Sequence, residues 1–356
     1  MKWYYILAGI FFVILGVYIF LAFIYLRFTA RPKKDSLKKV LERNAYYGFG
    51  FEDYTTWKKT PFIIESNEAV IVGYKILNVK KSDVWVVFSH GFRSCMLDLV
   101  KYARLYYNYG FNCLIFDQRY FGNSTGKCCT IGYHESKDIK NIIDMLVSQE
   151  GEDIFVIVHG ESMGASAALC ALSHTERIKA VVADCPFADA ADHYKEIIKS
   201  RSKLKIAFPL FGFVRLTARL CIKGYDFKKV SPVKAVKNSG APILFVHGTE
   251  DTVTLRDNSI RLFNAAKNPH SAIYLAEGAP HALSIFQNGQ HYDLRLRDFL
   301  NEAFNFYGKD VVLEKMQNQN TLENFYKYHQ EQALPQEETL QKEEGLPQGE
   351  ALKEEK

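Results

Sequence analysis

Two hydrophobic patterns divide this chain. From Trp3 to Leu26 there are 24 residues without a charge, and almost all of them are apolar or aromatic. As a helix this run is about 36 Å long, enough to cross a ~30 Å hydrocarbon core with some tilt. Trp3, Tyr4, Tyr5 and Tyr25 stand at its two ends, where amphipathic rings settle at a membrane interface. Beyond residue 60 the apolar positions come instead in short runs: Phe62-Ile63-Ile64 just after Pro61, Val70-Ile71-Val72, Val84 to Phe88, Cys113 to Phe116, Ile154 to Val158, Ala180 to Val182, Pro242 to Val246 and Ser271 to Leu275. Short apolar runs bounded by polar or glycine-containing turns predict strands buried on both faces. Helical stretches separate the later ones, which predicts parallel βαβ winding.

The strand pattern lapses between Phe187 and Lys237. An aromatic, lysine-rich helical insertion takes its place, with Phe208-Pro209-Leu210-Phe211-Gly212-Phe213-Val214 as its apolar part. It would cover a cleft as a lid, pack as core, or dip into a bilayer. After Tyr307 the chain becomes Glu/Gln/Lys-rich and repeats Ala333-Leu334-Pro335-Gln336 as Gly345-Leu346-Pro347-Gln348, with too little apolar surface to order itself. The expected organisation is therefore an anchor over 1–27, a basic juxtamembrane linker over 28–60, an α/β domain over 61–308 with a lid at about 187–240, and an acidic, Gln-rich tail over 309–356.

Composition refines this in three places. The hydrophobic fraction of 48% in 356 residues suits one sizeable core plus appendages. The net charge of +5 is small, and its basic excess sits beside the apolar run, where it suits anionic headgroups rather than nucleic acid. Arg27, Arg31, Lys33, Lys34, Lys38 and Lys39 follow the run, against Lys2 before it, so the positive-inside rule points the domain to the cytoplasm, with an extracellular domain as the alternative. Thr29-Ala30 is a poor cleavage site because Phe28 occupies a position that should be small, so the run reads as a retained anchor. Seven cysteines, including adjacent Cys128-Cys129, do not form the paired framework of a secreted chain. No metal-ligand spacing and no phosphate-cradling glycine loop appears, so neither a metal nor another cofactor is expected.

The chemistry lies at Gly160-Glu161-Ser162-Met163-Gly164, between the strand Ile154–Val158 and the small-residue run Ala165-Ser166-Ala167-Ala168. In that context G-x-S-x-G predicts a nucleophile elbow, a strand–turn–helix that lifts a serine hydroxyl above the sheet edge. A serine needs a base, an acid that orients it, and an oxyanion hole. Asp251 follows the strand Pro242–Val246, and His281 follows Ser271–Leu275, giving the chain order Ser162, Asp251, His281 that the elbow demands. The candidate oxyanion donors are the N–H groups of Met163 and of Phe92, on the loop after Val84–Phe88.

These residues make the chain resemble an α/β-hydrolase of the serine esterase/lipase/thioesterase type. The resemblance rests on His90-Gly91-Phe92, on Asp117 to Ser124, on the elbow, on His247-Gly248-Thr249-Glu250-Asp251 and on Pro280-His281. His159-Gly160-Glu161-Ser162-Met163-Gly164 followed by Ala183-Asp184-Cys185 is similar to membrane-anchored bacterial members of that superfamily. It covers about residues 61 to 308 and implies a mostly parallel sheet with helices on both faces, a small helical lid, and a Ser162–His281–Asp251 triad. The implied reaction is hydrolysis of a carboxylic ester or thioester, on a small-molecule or lipid acyl substrate, through an acyl-enzyme. An amidase or peptidase with the same triad, or a non-catalytic binding protein on the same scaffold, are the alternatives. Tyr120-Phe121 departs from relatives that carry glycine and a small or polar residue there, which implies a reshaped cleft. Asp184 is the competing triad acid, and Glu250 should point away from the site. His90, His159 and His247 read as structural groups. His134, His174, His193, His270, His291 and His329 read as surface residues.

Overall fold

The short apolar runs pair into one eight-stranded sheet of order β1-β2-β4-β3-β5-β6-β7-β8. Its strands are β1 (Lys59–Ser66), β2 (Ala69–Ile76), β3 (Val84–Ser89), β4 (Asn112–Phe116), β5 (Phe155–Glu161), β6 (Ile178–Asp184), β7 (Ile243–Gly248) and β8 (Ala272–Ala276). β1 and β2 form an antiparallel hairpin, β2 runs antiparallel to β4, and every pairing from β4 onward is parallel. The computed structural model describes residues 3–47, 49, 51–201, 207–222, 224–287, 289–311 and 313. The chain first lays β4 on one side of β3 and then crosses to lay β5 on the other. That reversal opens a crevice at the carboxyl ends of β3 and β5, where open α/β sheets place their ligands.

β3, β4, β5 and β7 are buried along their whole length, which is why they read as unbroken apolar runs. Helix Glu135–Glu150 lays Ile139, Ile142, Ile143 and Leu146 against Trp85, Leu114 and Val156 at helical spacing. Each such side chain contributes about 1.5–3 kcal/mol by leaving water. The aromatic contacts Phe88–Tyr106 and Phe155–Phe304 bring in helices Val100–Asn108 and Gly289–Phe306. β1 begins three residues earlier than the apolar run suggested, and Pro61 is tolerated because β1 is the sheet edge.

The N-terminal helix runs from Trp3 to Ala30 and is long and apolar enough to cross a membrane. Only Ala22, Leu26 and Ala30 on it are buried, and Tyr18 stacks on Phe213 at 5.4 Å. Within residues 28–60, expected as a linker, the stretch 31–47 is instead folded onto the domain. Helix Leu37–Tyr46 starts at Ser36, whose Oγ accepts the Lys39 N–H at 3.2 Å, and it buries Val40 and Asn44. The insertion after β6 is helical as expected: Ala190–Arg201, Ala207–Cys221, a short turn Phe227–Lys229, and Pro232–Asn238. All seven cysteines are free. The tail expected to be disordered lies outside the described residues beyond position 313.

Candidate active site

β5 ends at Glu161 and helix Met163–Ala171 begins two residues later, so Ser162 must reverse the chain alone. It does so at φ 54 and ψ −117, a conformation costing a non-glycine residue about 1–3 kcal/mol. Its N–H donates to the Asp184 carbonyl at 2.7 Å, which ties the turn to β6. The tightness explains the flanking glycines. A Cβ on Gly160 would lie 2.5 Å from the Ala165 backbone, and one on Gly164 would overlap the Ser89 carbonyl.

β7 and β8 deliver the other two groups to the same crevice. The Ser162 hydroxyl lies 2.9 Å from His281 Nε2, and His281 Nδ1 lies 2.6 Å from Asp251 Oδ2. Asp251 Oδ1 accepts the N–H groups of Val253 (2.8 Å) and Thr254 (2.9 Å). His247 Nε2 stands 2.7 Å from the Thr254 carbonyl and 3.2 Å from Asp251 Oδ2, and its Nδ1 meets Ser259 Oγ at 2.7 Å. Burial alone would push the Asp251 carboxyl up. The hydrogen bonds from His247 and His281 outweigh it and hold the group well below the ordinary carboxylate range. His247 thus supports the Asp251 carboxylate, a contact its position four residues before Asp251 only hinted at.

Asp184 does not reach His281. It is fully buried beside Tyr102, whose hydroxyl donates to it at 3.2 Å, and its Oδ1 has no partner. Burial, reinforced by the nearby Glu161 charge, pushes its carboxyl up to about 6. Glu161 pairs with Lys101 at 2.6 Å and accepts from Tyr102 at 2.9 Å. Glu250 is exposed, while Asp251 is buried.

The loop after β3 lies against the elbow, since a Cβ on Gly91 would sit 3.6 Å from that of Ser162. Phe92 follows on that loop, and Met163 is the first residue of the elbow helix. His90 Nε2 accepts the Gln118 N–H at 2.9 Å, holding this loop to the one after β4. His159 sits between Tyr106 (2.9 Å) and Tyr292 (3.4 Å), and burial pushes it down to about 3, so it stays neutral. His193 departs from expectation. It stacks on Phe187 at 5.1 Å, its Nδ1 is buried without a partner, and burial followed by the influence of His281 pushes it down to about 4. It folds back over the site from the lid, a placement no local pattern reveals. His134 is half-buried, His174 is exposed, His270 pairs with Glu302 at 3.0 Å, His291 is exposed, and His329 lies outside the described residues. Phe121 is fully buried and meets Phe92 at 5.9 Å, so the bulk noted in the sequence does shape the crevice. Cys185, Asp251 and His281 offer possible metal donors within 4.8 Å of one another, but both His281 nitrogens already face Asp251 and Ser162.

A mostly parallel sheet with a serine elbow at its crevice defines a serine hydrolase of the α/β-hydrolase superfamily. The profile of the prolyl oligopeptidase family matches residues 130–309, half of the chain, and the protein belongs to that family. The X-Pro dipeptidyl-peptidase family matches residues 30–200. Among curated proteins, the uncharacterised YqkD of Bacillus subtilis is 29% identical over 272 residues, 75% of this chain and 88% of that one. Among solved structures, the Pyrococcus furiosus esterase Pf2001 aligns with a TM-score of 0.57 at 23% identity, over 71% of this chain and 95% of the esterase. The Pyrococcus horikoshii acylaminoacyl peptidase aligns with a TM-score of 0.52 at 18% identity, over 71% of this chain and 43% of the peptidase. At these identities the two structures establish the fold.

Proposed function

We propose that this protein is a membrane-held hydrolase of carboxylic esters or thioesters, with Ser162 as nucleophile, His281 as base and Asp251 as the acid that orients it. The observation that carries the reading is His281 bridging Ser162 at 2.9 Å and Asp251 at 2.6 Å. Ser162 Oγ attacks the acyl carbon while its proton passes to His281 Nε2, and the imidazolium is stabilised by the ionised Asp251. The N–H groups of Met163 and Phe92 receive the developing oxyanion, aided by the N-terminal end of the elbow helix. His281 then protonates the leaving group. Water, deprotonated by His281, releases the acid from the acyl-enzyme.

The surroundings of Ser162 favour an apolar acyl group. Phe121, Met163 and Phe187 belong to one buried apolar cluster that also takes in Leu26 and Ala30 of the N-terminal helix. The family and the acylaminoacyl peptidase likeness favour the amidase or peptidase reading instead. A screen of p-nitrophenyl esters, acyl-CoAs and aminoacyl amides on the full chain in detergent separates them. Ester or thioester turnover at least about 100-fold above amide turnover is expected, a difference of about 2.7 kcal/mol in barrier. Amides turned over faster than esters would overturn the choice. The helix Trp3–Ala30 is proposed as a retained anchor with the domain in the cytoplasm, on the strength of six basic residues after its uncharged run against Lys2 before it.

A further inference from the structure

The segment between the N-terminal helix and β1 grips the loop that carries Phe92. The Asp35 N–H donates to the Arg93 carbonyl at 2.9 Å, and Arg93 Nε returns a bond to the Lys33 carbonyl at 3.0 Å. The Arg93 guanidinium pairs with Asp35 Oδ1 at 3.3 Å. From helix Leu37–Tyr46, Arg43 Nη1 pairs with Asp35 at 3.2 Å, while Nη2 donates to Ser94 Oγ at 3.2 Å and to Asp98 at 2.5 Å. Asn44 donates to Asp98 at 2.9 Å, and the Ser94 hydroxyl closes the ring onto the same carboxylate. Burial would push the Asp98 carboxyl up, but Lys101 and Arg43 hold it low, so this knot is charged. Lys101 carries the connection on to Glu161, the residue before Ser162, at 2.6 Å. Within this grip Arg93 is held at φ 69, a left-handed conformation that a non-glycine residue adopts at a cost.

We propose that Asp35 and Arg43 are positioning residues for the oxyanion hole. The inference rests on the reading of Phe92 N–H as an oxyanion donor. Asp35 fixes the backbone and side chain of Arg93, directly after Phe92, and Arg43 fixes Ser94. Together they hold the two residues that follow the donor and keep the costly turn at Arg93 from relaxing. A donor acts only when it is aimed at where the oxyanion forms, so loss of this aim lowers turnover without weakening ground-state binding. The strap is continuous with the N-terminal helix through Arg31, whose Nε donates to the Lys127 carbonyl at 3.1 Å, and Pro32, whose carbonyl accepts the Tyr120 hydroxyl at 3.0 Å. The anchor is thereby fastened to the rim of the site rather than tethered to it by loose chain.

The test uses the full-length protein in detergent, with Asp35→Asn, Arg43→Gln and Arg43→Lys. Removing an oxyanion donor costs about 10²–10³ in kcat, so displacing one predicts a loss of about 10- to 100-fold with KM within about two-fold. Affinity for a trifluoromethyl ketone, which forms a tetrahedral oxyanion on Ser162, should fall by the same factor, and Arg43→Lys should recover part of both. Hydrogen exchange of the amides at 91–94 should rise about ten-fold or more, a readout that needs no turnover. Variants with kcat and ketone affinity within about two-fold of the parent, or with losses that track only the unfolded fraction, overturn the proposal. Faster exchange at 91–94 in a protein whose parent neither turns over esters nor binds the ketone would contradict the hydrolase reading and leave the grip standing.

Discussion

Replacing Asp251 with Asn tests the acid at the level of single atoms. Its Oδ1 accepts two backbone N–H groups, from Val253 and Thr254, so an Asn side chain must keep its carbonyl oxygen on that side. Its NH₂ then occupies the Oδ2 position, 2.6 Å from His281 Nδ1. Two donors cannot face each other, so Nδ1 becomes an acceptor and the ring proton moves to Nε2, the atom that must accept from Ser162. The wrong tautomer costs about 10⁴ in kcat, equivalent to about 5.4 kcal/mol of barrier. Losing the charge-assisted bonds to the buried carboxylate should also destabilise the fold by about 1–3 kcal/mol. Because the folded carboxyl is held below its unfolded value, its contribution is present above about pH 4 and fades as pH falls through the folded value. The melting difference between parent and variant should therefore be largest near neutrality and shrink in acid. Steady-state ester hydrolysis and pH-resolved melting provide both readouts. A variant keeping more than about a tenth of parental kcat would refute the tautomer argument.

Ser162→Ala should abolish turnover, by about 10⁶ in kcat, while leaving the melting temperature almost unchanged, and residual activity near the parent's would remove Ser162 from the mechanism. Asp184→Asn should keep kcat within about ten-fold. It should also raise stability at pH 8 relative to pH 5, because a carboxyl pushed up to about 6 costs stability that grows as pH rises from about 4 to 6; an equal effect at both pH values would show that the burden is not there. Gly164→Ala should destabilise by about 1–3 kcal/mol or more, since its Cβ overlaps the Ser89 carbonyl, and an unperturbed melting curve would contradict the elbow geometry. For topology, Cys221 is the exposed thiol among the seven. A membrane-impermeant maleimide should leave it unlabelled in intact cells and label it after lysis, and labelling before lysis would place the domain outside.

The sheet was legible because most of its strands are buried on both faces and so appear as unbroken apolar runs. The site was legible because β5, β7 and β8 each end in a turn whose residues are few and chemically distinctive. Helix Leu37–Tyr46 was not, since it buries only Val40 and Asn44 and its lysines and arginine mask that face. Its partners, Ser94 and Asp98, lie about fifty residues away and carry no local mark of the pairing. His193 was misplaced for a related reason: its lid helix alone does not say that the lid folds back toward His281. Of the two candidate acids, Asp251 lies within hydrogen-bond reach of His281 Nδ1 while Asp184 faces Tyr102, which is why the proposal takes Asp251.

The central claim is that Ser162 is the nucleophile and His281 its base. The most direct measurement is mass spectrometry of peptides from the full-length protein after incubation with a fluorophosphonate, in parent and His281→Ala forms. The account predicts one stoichiometric adduct on Ser162 in the parent and labelling slowed by at least about 10³ in the variant, because a serine without its base is a weak nucleophile. No adduct, or an adduct on another residue, or equal labelling rates in both proteins, would contradict it.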